Sequence, residues 1–353
     1  MEILRKIFKD KFAKTAFIVL SVLYIVILFA DFIAPYSNYY SNRDMSYAPP
    51  SKVYMIDENG KFSLPYTYNY VREYDPALMQ TVYKQDRGVK YYIKPFAHGE
   101  KYKFLGVIPT DRHLFGLREG GYIYPLGTDI NGRDVFSRLL FGGRISMTVG
   151  FLSLFIVFPI GLLYGGISGY YGGILDMLMM RFAEAVMAIP SFYLLIILAA
   201  ILPSGMTSTQ RFCLIVVILA LIGWAGFARV VRGMVLSIKK EEFVQAEKTM
   251  GASDLRIILK HILPQTTSYV IIAMTLAIPS YILAESGLSF LGLGIQQPDA
   301  SWGNMLKEAQ EFTNILYRPW LLAPGGLIFI AVLAFNLLGD AIRDILDPKS
   351  LEK

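Results

Sequence analysis

A single cysteine, Cys213, excludes a disulfide within this chain, so cysteine usage says nothing of the redox compartment. Histidine is almost as scarce, with three in 353 residues. His98 and His113 stand without a cysteine or carboxylate at metal-ligand spacing, which excludes an ordinary zinc site and leaves them surface or core residues. Charged residues make up only 18% of the chain, against roughly 25% in soluble domains. No G-x-x-x-x-G-K-[ST] run occurs, so a Walker A phosphate loop is excluded. There is also no low-complexity tract and no internal repeat beyond helical alternation.

What is plentiful is apolar sequence. The chain is 54% hydrophobic, with a mean hydropathy of +0.44, which indicates a membrane protein. A net charge of +6 could suggest nucleic acid, but Lys and Arg gather at the ends of apolar runs, where the positive-inside rule accounts for them. The basic N-terminus with its apolar run to Ala30 has features of a signal peptide. The length of that run and the spans that follow favour an uncleaved first helix. Runs of about 20 apolar residues predict six spans: Lys14–Pro35, Ile145–Ser168, Ile174–Leu202, a short Phe212–Ala228, Thr267–Leu291 and Trp320–Gly339. Basic residues concentrate in three places. These are the N-terminal tail (Arg5, Lys6, Lys9, Lys11, Lys14), the segment between spans four and five (Arg229, Arg232, Lys239, Lys240, Lys248, Arg256, Lys260) and the C-terminal tail (Arg343, Lys349, Lys353). The uncharged Pro203–Gln210 loop then falls outside, and both termini face the cytoplasm.

Two polar regions remain. Residues 36–124 hold 15 of the 23 tyrosines, and Asn59-Gly60 between VYMIDE and KFSLPY predicts a two-residue hairpin turn. Pro49-Pro50 and Gly120-Gly121 mark loops. A small β-containing extracytoplasmic insert is expected, either a lid with its own aromatic core or a docking surface for a solute receptor. The following YPLGTDINGRD segment reads as a rigid elbow, with Asp134 and Arg138 spaced for an i,i+4 ion pair and Arg144 placed to snorkel at the water end of span two.

The second polar region, EEFVQAEKTMGASDLRIILKHILP (241–264), is a charged helix-turn-helix between apolar spans. Phe243, Ala246 and Met250 share one face of its first helix. Gly251 suits the C′ position, where positive φ is cheap. Ser253 is placed to cap the second helix through its hydroxyl. Leu255, Ile258, Leu259, Ile262 and Leu263 then form an apolar stripe, and Pro264 limits continuation of the helix and admits the chain to span five. Phe243 and Met250 amid so many charges read as a patch facing a soluble partner.

Ionisable groups inside spans are costly unless paired or wet. Asp176, Arg181 and Glu184 open span three, with Arg181 and Glu184 spaced to pair; they stabilise the bundle or line a pathway or gate. Pro190 is expected to kink span three and Pro279 span five. Glu285 and Ser286 open a segment whose Gly287, Leu288, Gly292 and Gly294 suit a broken or re-entrant stretch. No histidine or lysine base is placed near that Glu-Ser pair, which argues against an intramembrane protease.

Gln245-Ala246-Glu247-x-x-x-Gly251 followed by Ile262-Leu263-Pro264 resembles the EAA loop of ABC-importer permeases, although Gln245 and Glu247 depart from its namesake letters. PLGTDINGRDVFSRLLFGGRIS (125–146), ESGLSFLGLGIQQPDASWGNML (285–306) and FNLLGDAIRDILDPKS (335–350) are similar to dipeptide/oligopeptide permeases of the OppC/DppC type. The large insert is more like that of microcin C/oligopeptide variants. The resemblance implies an all-α membrane protein with six transmembrane helices, the fold of a type I ABC importer permease. Its parts would be the tail and first helix (1–35), the insert (36–124) and a permease core (125–353) with a cytoplasmic coupling loop (229–266). It implies a peptide permease subunit, not an enzyme, in the cytoplasmic membrane of a bacterium or archaeon. Glu242, Phe243, Gln245, Ala246, Glu247, Met250, Gly251, Ala252 and Ser253 would contact an ATPase subunit. ATP and Mg would be bound by one or two such subunits, not by this chain. A homologous second permease subunit of the OppB/DppB type and an extracytoplasmic peptide-binding protein complete the implied assembly. Two rival readings remain: an ion-coupled secondary transporter using Asp176, Arg181 and Glu184, and a receptor-like scaffold presenting the insert. The first lacks a reason for the hairpin and would often show inverted repeats, and the second makes six spans a costly anchor.

Overall fold

The computed structural model describes residues 7–57, 60–76, 80–104, 106–117, 120–203 and 205–346. Arg5, Lys6, Asn59, Lys349 and Lys353 lie outside the described residues, as does the end of the FNLLGDAIRDILDPKS segment.

Helix α1 (Lys11–Leu28) begins where the Asp10 carboxylate accepts the Ala13 N–H (2.7 Å). A short α2 (Ala30–Ile33) follows. Arg144 keeps 38% of its side chain exposed and also reaches the end of α1. Its guanidinium donates to the Ile27 and Leu28 carbonyls (3.2 and 3.1 Å) and pairs with Asp31 (2.5 Å). A helix C-terminus offers unsatisfied carbonyls and partial negative charge, which hold a cation better than bulk water does there.

Among the described residues, seven strands follow: β1 (Tyr54–Ile56), β2 (Phe62–Thr67), β3 (Tyr70–Asp75), β4 (Gln80–Gln85), β5 (Tyr91–Tyr92), β6 (Lys94–Phe104) and β7 (Ile108–Gly116). They form three antiparallel sheets, β1-β2-β5, β3-β4 and β6-β7. The first hairpin closes with the Asp57 N–H donating to the Lys61 carbonyl (2.8 Å) and Gly60 at φ +72°, a longer loop than the two-residue turn expected. Tyr70 and Tyr124 pack with Met45 and Ala48 against Tyr36, Tyr40, Tyr83 and Tyr122, so many of the tyrosines make an aromatic core of their own.

Helix α3 (Val135–Tyr171) has 37 residues, about 55 Å of rise, and overruns the expected span at both ends. Its start shows why Asp134 does not pair with Arg138. The Asp134 carboxylate faces the helix N-terminus, accepting from the Ser137 N–H (2.8 Å) and hydroxyl (2.6 Å). Asp129 takes the cations instead, at 2.6 Å from Arg133 and 3.6 Å from Arg138. Arg138 also donates to the Pro298 carbonyl (2.9 Å).

Helices α4 (Gly173–Ala188) and α5 (Ser191–Ala200) meet at Pro190 with a 78° bend, a break instead of a mild kink. The proline ring removes an N–H and bars the preceding residue from helical geometry. Helix α6 (Ser208–Ile238) starts at a Thr207/Gln210 capping box. Its 31 residues correct the short fourth span: Arg229 and Arg232 belong to the helix, not to a loop. Gly165 and Gly169 of α3 lie against α6, where a Cβ would come within 2.9 Å of Val231 and of Val235. Small residues spaced four apart thus let these helix backbones approach closely.

After α7 (Glu242–Thr249), helix α8 runs from Asp254 to Phe290. One α-turn passes into a π-helical stretch (Ile257–Ile262) and a 3₁₀ turn (Leu263–Thr266) before regular helix resumes at Thr267. Two expectations change here. Pro264 does not end the helix, because the wide and tight turns absorb its missing N–H. Residues 285–290 stay helical, so no break occurs there; the helix stops before Gly292, at φ +77°. The remaining helices are α9 (Trp302–Leu306), α10 (Phe312–Tyr317) and α11 (Ala323–Leu346).

Among the described residues, five helices are long and apolar enough to cross a membrane, or six if α4 and α5 make one span. The chain divides into two compact units: residues 1–20, 147–288 and 330–353 form one, and residues 21–146 and 289–329 the other.

Candidate functional site

The hairpin at 241–264 is held to the first unit by its polar backbone as much as by packing. At the end of α6, Lys239 Nζ donates to the Gly169 and Tyr170 carbonyls (2.7 and 3.0 Å), fixing it to the end of α3. Gln245 Nε2 donates back to the Lys239 carbonyl (2.9 Å). Tyr170 OH donates to Asp254 (2.7 Å), which ties the second arm to α3 as well. Val244, Ile257, Ile258 and Ile262 are buried beneath the hairpin.

Its turn is a full Schellman motif. The Ala252 N–H donates to the Glu247 carbonyl and the Gly251 N–H to the Lys248 carbonyl (both 3.1 Å), with Gly251 at φ +81°. Ser253 occupies the N-cap of α8 but makes no capping bond through its hydroxyl, contrary to expectation. The Ile257 N–H is satisfied by the Ser253 carbonyl (3.0 Å). Glu247 sits 3.6 Å from His261, beyond hydrogen-bond length.

The apolar stripe is split. Leu255 and Leu259 are exposed, whereas Ile257 is buried. A stripe drawn at 3.6 residues per turn fails where the helix widens, because i and i+5 now share a face, as Ile257 and Ile262 do. Phe243, Met250, Leu255 and Leu259 are all exposed large apolar side chains of the hairpin, with Met250 at 72% exposure. Glu242, Ala246, Lys248, Arg256 and Lys260 are also exposed, as are Gln245, Gly251 and Ser253, while Glu247 and Ala252 are half-buried. Val244 and Ile257 were missed as anchors; Val244 is the lone large apolar residue on its side of α7, too weak a signal alone.

The polar residues of the spans separate into different roles. Asp176 is buried and tied to Arg232 of α6, which donates from Nε to Oδ1 (2.9 Å) and from Nη2 to Oδ2 (2.5 Å). Ser168 donates to the same carboxylate (2.5 Å). Arg181 and Glu184 pair with each other at 3.1 Å on an exposed face. Glu285 and Ser286 are buried in α8, and Ser286 Oγ has no hydrogen-bond partner among the described residues. Arg232 was missed because its partner lies 56 residues away.

A family model described as binding-protein-dependent transport system inner membrane component matches residues 158–351. A second, the N-terminal TM domain of oligopeptide transport permease C, matches residues 1–50. The dipeptide transport system permease protein DppC of Bacillus subtilis (strain 168) is 47% identical over 225 residues, 63% of this chain and 68% of its own. The oligopeptide transport system permease protein OppC of Haemophilus influenzae is 44% identical over 230 residues, 65% and 71% respectively. The glutathione transport system permease protein GsiD of Pectobacterium atrosepticum is 41% identical over 225 residues, 64% and 72%. With more than half its length matched, the chain belongs to the family of inner membrane components of binding-protein-dependent transport systems.

Proposed function

We propose that this chain is the permease subunit of an ATP-driven importer that carries peptides across the cytoplasmic membrane. Relatives named for dipeptide, oligopeptide and glutathione transport support the cargo class. The observation that carries the coupling role is the exposed apolar surface of Phe243, Met250 and Leu255 on a turn locked by Gly251. A rigid, half-apolar knob among charges fits a groove on a soluble ATPase subunit. Glu242, Gln245, Ala246, Glu247, Ala252 and Ser253 form the rest of the contact. The hairpin and both termini face the cytoplasm, and residues 36–124 lie outside. One or two ATPase subunits bind ATP and Mg. A homologous second permease encloses the pathway with this chain, and an extracytoplasmic receptor delivers peptide.

ATP-driven closure of the ATPase subunits moves the hairpin. Because α7 and α8 are tied to the end of α3 through Lys239 and Tyr170, that movement passes directly to the spans. The spans then exchange inward- and outward-facing packings, a two-state change biased by partner contacts. The Arg181–Glu184 pair is the group we place at the pathway or gate, with Glu285 and Ser286 as further polar groups near it. Asp176 has a mainly structural role, since Arg232 and Ser168 already satisfy it.

The test is a cysteine at Met250 in a Cys213→Ser background, in the assembled complex. Cross-linking to the ATPase subunit that changes between nucleotide-free and ATP-bound states is expected, together with ATP-dependent peptide uptake into vesicles. Uptake that persists without ATPase subunits and follows an ion gradient would overturn the reading.

A further inference from the structure

The β6-β7 hairpin leads to a strongly apolar end. At the end of β6 stands Phe104; Val107 precedes β7, and Ile108 begins it. The turn is closed by the Gly106 N–H to the Lys103 carbonyl (2.9 Å) and the Val107 N–H to the Phe104 carbonyl (3.1 Å). Val107 is 78% exposed and Ile108 59%. Nothing in a β-turn needs large apolar side chains; turns favour Gly, Asn, Asp and Ser.

The position of this end gives it a partner. Phe104 stacks on Phe29 at 5.7 Å and meets Phe32 edge-on at 6.3 Å. Farther along β6, Phe96 contacts Phe32 at 6.1 Å. The His113 ring sits between the carbonyls of Ala34 and Glu100 (2.6 and 3.0 Å), so β7 is fixed to the same short stretch after α1. Phe29 immediately follows α1, whose 18 residues are apolar enough to span a membrane. Val22, Ile25 and Leu28 form an exposed stripe on α1 that runs up to Phe29. Of the hairpin's contacts with this stretch, Phe104 meets the residue nearest the membrane, and its turn lies one step farther on.

We infer that the β6-β7 turn, through Phe104, Val107 and Ile108, dips into the headgroup and upper acyl region of the bilayer beside the end of α1, continuing that helix's lipid-facing stripe. Lys101 and Lys103 are exposed on the strand just behind it and Tyr102 lies between them. Long cationic side chains and tyrosine are suited to the headgroup layer, with apolar stems below and polar tips in water. This contact with lipid anchors the β-rich segment against tilting about its connection to α1. The inference does not depend on the peptide cargo or on which side of the membrane the segment lies.

The test uses the full chain with Cys213→Ser, carrying an environment-sensitive fluorophore on a cysteine at position 107, in phosphatidylcholine/phosphatidylglycerol vesicles. The same label at position 84, on the β3-β4 ribbon, is the reference, and Ile108→Cys is the second variant should the first misfold. The expected result is a blue-shifted emission at 107, quenched by nitroxides on the lipid headgroup and upper chain and shielded from aqueous iodide, with the opposite pattern at 84. Equal iodide quenching at 107 and 84 would overturn the inference. Shielding that arises only on adding a soluble receptor would overturn it too, by assigning the turn to a protein partner.

Discussion

Gly251 holds φ +81°, and nothing lies within 4 Å of where its Cβ would be, so only backbone conformation selects glycine there. Gly251→Val forces a β-branched residue into the left-handed region at about 1–2 kcal/mol and should open the Schellman turn. Peptide uptake in reconstituted vesicles should fall severalfold while ATP hydrolysis continues, and Gly251→Asn, which tolerates that region, should recover much of it. Asp176 and Arg232 make the opposite kind of claim. Removing the half-buried Arg232 leaves the buried Asp176 carboxylate without its bidentate partner, so Arg232→Ala should cost about 2 kcal/mol, read as a lowered melting temperature in detergent. Arg181, at 78% side-chain exposure, should cost under about 1 kcal/mol when changed to Ala. The sequence left Arg181 and Glu184 open between stabilising the bundle and lining a pathway, and their exposure favours the second. The residue type was legible in both cases; the partner was not, because Arg232 lies 56 positions from Asp176.

At the scale of elements, the elbow between residues 124 and 138 gathers carboxylates that pay for burial. Burial pushes Asp134 up to about 7 and Glu308 up to about 7, with the nearby Asp129 charge adding to both and hydrogen bonds opposing. An acid whose folded pKa is raised stabilises the fold when protonated. That contribution is full below the unfolded values of 3.8 and 4.5 and is lost as pH rises toward about 7. Melting temperature should therefore fall between about pH 4 and about pH 7, and Glu308→Gln should flatten the profile. The element-scale reading of the hairpin shows how local patterning succeeds and fails. The start of α7 and the glycine turn follow from charge and propensity. The second arm does not, because its π turns depend on how Ile257 and Ile262 pack beneath it, and no 3.6-residue template contains that. Likewise α3 and α6 run well past their apolar runs, since cap residues and long-range pairs hold their polar ends.

For the whole molecule, the β-rich segment is built into the elbow instead of being appended to it. The Asn42 N–H donates to the Gly132 carbonyl (3.1 Å), the Tyr47 N–H to Asp129 (3.0 Å) and the Thr128 N–H to Ala48 (2.9 Å). Deletion of 45–115 removes Tyr47 and Ala48 and should destabilise the elbow, lowering yield of folded protein. Deletion of 52–121 spares those bonds and should still co-purify with the ATPase subunits; loss of that association would place the segment on the ATPase side. Sequence alone determined the membrane character, the positions of most apolar runs, the charged hairpin and its Gly251 turn. Each depends on composition or on residues within a few positions of one another, where period and propensity act directly. The tertiary structure decided which charges meet, where α8 widens, and that the turn at Phe104 is stacked against Phe29 at the end of α1. Those outcomes depend on groups distant in the chain, and close packing and the cost of an unpaired charge away from water select among pairings that local sequence leaves equal.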